Sequence, residues 1–193
     1  MQRVESGRLG GRRLLSLPKG VSGLRPTAAR VRGAVFDRLG AEVRGVRVLD
    51  LFGGSGAMSV EAISRGAEHA TVVELHGKVV RHLQAQAEAL GIADQMQIVK
   101  ADAVQYLQHG PRAYELVIID PPFATPEVVD AIAGALVGGW LAPEAIVVCE
   151  LERIRGKSRD VVWPERLVLE ATKNYGQAVV EFRRFSSEEP SSP

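Results

Sequence analysis

The sequence predicts an α/β fold: a doubly wound, mostly parallel sheet with helices on both faces. Three observations lead there. Residues Val48 to Met58 form an apolar run that ends in Asp50, a glycine-rich turn, Gly53-Gly54-Ser55-Gly56, and the start of a helix-like stretch, Ser59 to Ile63. That is the strand–turn–helix unit with which nucleotide-type sheets begin. From Val46 onward, strand-like runs alternate with helical periods, the pattern of parallel sheets wound on both sides. Near the end, Asn174-Tyr175-Gly176 joins two strand-like runs in a hairpin signal, which turns at least one strand antiparallel.

Composition bounds the class. A chain of 193 residues with 46% hydrophobic residues suffices for one domain with a real core. The single cysteine, Cys149, leaves no internal disulfide and points to a reducing compartment, the cytoplasm, with Cys149 itself read as a small buried strand residue. No stretch is apolar and long enough to span a membrane, and Met1 to Leu15 lacks the apolar centre of a secretory signal. Charge is unevenly spread. Residues 1–47 carry eleven bases and three acids, a net +8, and the remainder carries 13 bases and 20 acids, a net −7. Ten of the eleven bases are arginines, whose planar fork suits phosphate, so the segment reads as a basic arm for a polyanion.

The elements follow in order. Gly7, Gly10, Gly11, Gly20 and Gly23 break any helix over residues 1–25, and Leu9 to Leu17 reads as one or two short strands of a hairpin-like arm. Thr27 is the expected N-cap of an amphipathic helix built on Val31, Val35, Phe36 and Leu39 and ended by Gly40; Arg30, Arg32 and Arg38 are assigned to its other face. Strand one covers 46–51, a helix 57–65, strand two 70–74, a helix 78–90 ended by Gly91, strand three 97–100 and a short helix 103–108. Strand four covers 114–119, a helix 126–137, strand five 145–150, and the closing pair 166–173 and 177–185. The tail 186–193, made of Ser, Glu and Pro, is expected to be disordered. The histidines are scattered and no metal-ligand spacing is visible.

The chemistry concentrates at strand ends. Asp50, Glu74 and Asp120 end strands one, two and four, and Asp102 follows strand three, so four carboxylates should rim one crevice at the carboxyl edge of the sheet. The glycine turn has three readings. A Walker A loop requires Lys and Ser or Thr after its last glycine, and Ala57-Met58 stand there instead. A dinucleotide loop wants a third glycine, which is missing. A loop for S-adenosylmethionine needs neither. Glu74 lies 24 residues after Asp50, where a carboxylate typically accepts both ribose hydroxyls, and Asp102-Ala103 lies where an adenine amino group would come. Asp120-Pro121-Pro122-Phe123 is the sharpest motif. Its two prolines stiffen the turn and remove donors, leaving acceptors for an exocyclic amino group and a ring that stacks on a base.

This D-P-P-F after a fourth strand, with Asp50-Leu51-Phe52-Gly53-Gly54-Ser55-Gly56 after the first, resembles the amino-directed S-adenosylmethionine methyltransferases. Arg25-Pro26-Thr27, Arg30-Val31-Arg32, Phe36, Glu61-Ala62 and Ser64-Arg65-Gly66-Ala67 extend the likeness, over about residues 3–185, to the small bacterial enzymes that methylate a guanine N2 in 16S ribosomal RNA. The resemblance implies a Rossmann-like seven-stranded sheet, mostly parallel with the last strand antiparallel, and a small N-terminal β-hairpin extension. It implies an arm over 1–25, a methyltransferase domain over 26–185, and a monomer that acts on 16S ribosomal RNA or the small subunit. The donor would be held by Asp50, Phe52, Gly53, Gly54, Ser55, Gly56, Glu74, Leu75, Asp102, Ala103 and Asp120. Asp120 and Pro121, with Pro122 and Phe123, would hold the base, and no metal would be needed. Arg12, Arg13, Lys19, Arg25, Arg30 and Arg32, with Thr27 beside them, would meet the RNA. Two departures stand out: Gly33 should loosen the first helix, and Gln84 and Gln86 stand in the long helix where Asn is common, away from the reacting atoms. Methylation of an adenine or cytosine amino group in DNA, a non-catalytic RNA-binding assembly factor and a nicotinamide oxidoreductase remain as rival readings.

Overall fold

The computed structural model describes residues 2–18, 20, 29–121, 126–154, 157–158, 161–176 and 178–187. Its elements are α1 (Ala29–Leu39), a 3₁₀ turn (Gly40–Val43), β1 (Arg47–Asp50), α2 (Ala57–Ser64), β2 (His69–Glu74), α3 (Gly77–Leu90), β3 (Met96–Lys100) and α4 (Ala103–Tyr106). There follow β4 (Tyr114–Ile119), α5 (Pro126–Leu136), β5 (Leu141–Ile154), β6 (Lys157–Ser158), β7 (Leu167–Tyr175) and β8 (Ala178–Phe185). The strands run in the order β3-β2-β1-β4-β5-β8-β7, with β6 hanging on β5. β1 to β5 pair in parallel, and β8 is antiparallel to both neighbours. The seven-stranded, mostly parallel sheet with an antiparallel last strand is therefore present, and the two-residue β6 is an addition.

Both faces of the sheet are covered, so its central strands are apolar on both sides. Val48, Ile118, Val148 and Val180 pack with residues of α1, α2 and α3, and Leu49, Val117, Ile119 and Val147 pack with Val129, Ile132 and Leu136 of α5. α1 buries Val31, Val35, Phe36 and Leu39 as their spacing requires, and Gly33 does not interrupt it. Gly40 turns out of it at φ +53°. β5 starts earlier than its apolar run suggests, since Pro143 and Glu144, the latter at φ +60°, interrupt the pattern within it; pairing to β4 shifts register there.

The arm doubles back as a hairpin, but its strands reduce to a single bridge, Arg3↔Arg13. Val4 N–H donates to Arg12 O, Gly11 N–H to Val4 O and Leu14 N–H to Gln2 O. The strands expected over Leu9 to Leu17 are absent because the arm is moulded by α2 rather than by a ladder of its own. Val4, Leu9 and Leu14 are buried in the same cluster as α1–α3. Gly7, at φ +78°, lies so close to the end of α2 that a Cβ would come within 1.9 Å of the Ser64 carbonyl oxygen. Lys19, Arg25, Thr27, Pro122, Phe123 and most of the tail lie outside the described residues.

Candidate active site

Strand order reverses between β1 and β4, and the helices that follow them, α2 and α5, pack on opposite faces of the sheet, the topology at which open α/β sheets bind ligands. Asp50 and Asp120 end those strands, Glu74 ends β2, and Asp102 stands just beyond β3, so the structure brings the four expected carboxylates to one edge of the sheet. Their environments differ.

Asp50 is 2% exposed. Ser59 Oγ donates to its Oδ2 at 2.6 Å, and the Phe52 N–H donates to Oδ1 at 3.3 Å. Burial, more than its neighbours Asp120 and Glu74, pushes its carboxyl up to about 6 against the two hydrogen bonds. Asp50 thus ties the start of α2 to the end of β1 and shapes the turn from beneath. Glu74 is also buried. Its Oε2 accepts the Gly54 N–H at 3.0 Å and its Oε1 accepts the His76 N–H at 2.7 Å, which aims the carboxylate along the turn; each oxygen keeps a second lone pair. Leu75, next in the chain, is 55% exposed and offers an apolar surface beside it.

The glycine turn is close-packed. Gly54 and Gly56 sit at φ +48° and +73°. A Cβ on Gly53 would meet Val72 Cγ1 at 2.6 Å, and one on Gly56 would meet Leu83 Cδ2 at 2.6 Å, so only glycine fits at both places. Gly53 N–H donates to Val73 O, Gly54 N–H to Glu74, and Gly56 N–H to Gly53 O. A phosphate cradle works by aiming such N–H groups at the anion. Here three of them are spent within the protein.

Asp102 caps α4, its Oδ1 accepting the N–H groups of Val104 and Gln105 at 3.0 Å each. Asp120 and Pro121 are half-buried at the end of β4. Asp120 lines a crevice with Val35, Met58, Ile118, Ile119, Val148, Val180 and a further acid, Glu150. Glu150 was missed from sequence although it follows the rule that found the others, a carboxylate at the end of strand five. Cys149 is wholly buried and its thiol is pushed well up by that burial, consistent with a packing role and not a nucleophile.

Gln86 was also missed. It is completely buried; its Nε2 donates to the Ser55 carbonyl at 2.8 Å and its Oε1 accepts the Leu15 N–H at 3.0 Å, so it links the arm to the glycine turn. Position alone put it away from the reacting atoms; its inward place on α3, one turn after Leu83, was the available signal.

Of the residues assigned to RNA, Arg12, Arg13 and Arg30 are exposed. Arg12 donates to the carbonyls of Ala89 and Leu90, ending α3. Arg32 must be withdrawn. It is 0% exposed and bonds Glu5 Oε1 at 2.8 Å and the Arg3 carbonyl at 2.7 Å, with Glu61 at 3.6 Å. The helical period turns position 32 inward beside Val31 and Val35, where the exposed Glu5 and the buried Glu61 flank the guanidinium.

The family described as conserved hypothetical protein 95 matches residues 2–184. The ribosomal RNA small subunit methyltransferase D of Escherichia coli (strain K12) is 35% identical over 150 residues, 78% of this chain and 74% of that protein. Its counterpart in Haemophilus influenzae is 30% identical over 189 residues, 96% of this chain and 93% of that one. The chain belongs to this family. The small subunit methyltransferase D fold extends to solved structures: the Escherichia coli protein yhhF superposes with a TM-score of 0.86 at 30% identity, covering 97% of this chain and 99% of that one. An RNA methyltransferase from Salinibacter ruber, solved with S-adenosyl-L-homocysteine, shares the fold at a TM-score of 0.67 and 18% identity, over 87% of this chain and 98% of that one. Within the methyltransferase D family's span, Glu61, Ser64 and Arg65 acquire a structural reason: they fasten the arm and α1 to α2.

Proposed function

We propose that the protein moves a methyl group from S-adenosylmethionine to the exocyclic N2 amino group of a guanine in 16S ribosomal RNA. The observation that carries this reading is the pairing of two half-sites at one switch point: a packed glycine turn backed by Asp50 and Glu74, and Asp120-Pro121 just beyond the end of the neighbouring β4. Bound there, S-adenosylmethionine supplies a methyl on a cationic sulfur. The residues present suit it. The turn offers close backbone approach with three of its N–H groups already occupied, which disfavours a pyrophosphate. Glu74 keeps acceptor capacity for ribose hydroxyls, Leu75 gives an apolar surface for an adenine, and a rim of carboxylates favours a cation.

On the acceptor side, the Asp120 carboxylate and the Pro121 carbonyl take the hydrogens of the amino group. That localises a nitrogen lone pair otherwise delocalised into the base and orients it for in-line attack. The nitrogen–carbon bond forms as the carbon–sulfur bond breaks, and one amino proton leaves through the acceptors. The same reading gives Pro122 and Phe123 a part in holding the base, Phe123 by stacking on it. Arg12, Arg13, Lys19, Arg25 and Arg30, with Thr27, hold phosphate along the arm. The domain division, with the arm over 1–25 ahead of a methyltransferase domain over 26–185, belongs to the same reading, as does action as a monomer in the cytoplasm.

The test has two arms. Asp120→Ala abolishes methyl transfer to small-subunit RNA while RNA binding and S-adenosylhomocysteine binding persist; retained transfer refutes the assignment. Mass spectrometry of digested ribosomal RNA from cells with and without the gene shows loss of N2-methylguanosine. Loss of a methylated adenine or cytosine in DNA, with ribosomal RNA unchanged, would overturn the proposed substrate.

A further inference from the structure

We propose that Glu150 is a specificity-determining residue that accepts a hydrogen bond from the ring N1–H of the target guanine, beside Asp120 on the amino group. The inference rests on the guanine reading above and names what would select that base.

The geometry comes from strand pairing. Ile119 lies opposite Cys149 in the parallel β4–β5 pair, so Asp120 and Glu150 occupy the next rung, on neighbouring strands spaced about 4.8 Å apart. Both side chains are half-buried and line the same crevice. Its remaining walls are apolar and come from five elements: Val35 from α1, Met58 from α2, Ile118 and Ile119 from β4, Val148 from β5 and Val180 from β8. The crevice is too narrow to take a ring, so the two carboxylates at its mouth present two acceptors to the edge of a flat base lying over it, an edge that carries two donors.

The two acids repel each other. Burial first, and then the charge of Asp120, push the Glu150 carboxyl up to about 7. A ligand that places one N–H against each carboxylate relieves this, and among the four bases only guanine does so, with N1–H adjacent to the N2 amino group. Adenine and cytosine have a ring nitrogen lone pair next to their amino group, and above pH 7, where Glu150 is ionised, that lone pair would face a carboxylate lone pair. The mismatch is costly because it sets a half-buried carboxylate against a lone pair with no proton between them. Uracil has a ring N–H but no amino group.

The test uses 16S ribosomal RNA carrying either guanine or 2-aminopurine at the modified position, with wild type, Glu150→Ala and Glu150→Gln. 2-Aminopurine keeps the N2 amino group and lacks the N1–H. Wild type should lose about tenfold or more in kcat/KM on 2-aminopurine. Glu150→Ala should lose a similar factor on guanine and nothing further on 2-aminopurine, because the two changes remove one contact. Glu150→Gln, whose amide oxygen still accepts, should keep part of the preference. Melting temperature and S-adenosylhomocysteine affinity establish that the variants are folded. If Glu150→Ala discriminates against 2-aminopurine as strongly as wild type does, the role of Glu150 is overturned and the guanine reading stands. If wild type leaves guanine unmethylated, the underlying reading fails and this inference falls with it.

Discussion

At the scale of single residues, Asp50 shows how the site trades stability for shape. Its carboxylate is sealed beneath the glycine turn, and Ser59 and the Phe52 N–H only partly compensate the lost hydration. With the folded carboxyl raised from 3.8 to about 6, the folded chain holds a proton that the unfolded chain has released over that interval. Stability is therefore greatest at the acid end, falls as pH rises through the window, and levels off above it, a loss of up to about 3 kcal/mol at 1.36 kcal/mol per unit. Glu150, raised from 4.5 to about 7, adds a decline of the same sign that reaches to higher pH. Denaturant unfolding across pH 4–8 should show Asp50→Asn with a shallower fall below pH 6, and Glu150→Gln with a shallower fall up to pH 7. Slopes identical to wild type would refute both assignments. That Asp50 and Glu74 belong at the crevice was legible from their places at strand ends. That Asp50 acts from beneath the turn was not, because burial and the partner Ser59 depend on how α2 docks.

At the scale of elements, α2 is the part to which the others are fastened. It is buried along its whole length, and its polar residues face inward on purpose. Glu61 accepts the N–H groups of Glu5 and Ser6 and the side chain of Arg65, and lies against Arg32; Ser64 Oγ accepts the Leu9 N–H and donates to the Ser6 carbonyl. Arg65 continues to Asp37 on α1. Glu61→Ala would remove the buried carboxylate beside Arg32 and Arg65, leaving Arg32 to Glu5 and the Arg3 carbonyl, and would leave two arm N–H groups without acceptors. It should destabilise the protein by on the order of 3–5 kcal/mol, read from denaturant midpoints, and a loss below about 1 kcal/mol would contradict the staple. Gln86→Ala tests the link at the other end of the arm. Hydrogen exchange at Leu15 and around Ser55 should rise together, and a rise at only one of them would deny the connection. The helices and strands themselves were readable in order, since their periods and end glycines are local signals. The arm was not, because its glycines bend it onto α2 and its hydrogen-bond partners on that helix lie 55 residues away or more in sequence.

At the scale of the whole molecule, the charge asymmetry of the sequence overstates the basic surface. Of the bases in residues 1–47, Arg32, Arg38 and Arg47 are paired with Glu5, Glu170 and Glu115. Arg3, Arg8 and Arg12 donate to the Gly11 carbonyl, the Gln95 side chain and the end of α3. Arginines held by neutral acceptors still carry their charge to a polyanion, but one enclosed with two carboxylates does not. The distinction is measurable, because each phosphate neutralised on binding RNA releases counterion and adds about 0.7 to 0.9 to the slope of log K against log salt. Arg13→Ala and Arg30→Ala, which alter exposed side chains, should each weaken RNA binding and reduce that slope by about 1. Arg32→Ala should leave the slope where it was and lower the melting temperature instead, because its guanidinium serves the junction of arm, α1 and α2. A folded Arg32→Ala protein whose slope falls as far as that of Arg13→Ala would return this residue to the RNA surface and take the electrostatic role of the arm back to what charge counting alone suggests.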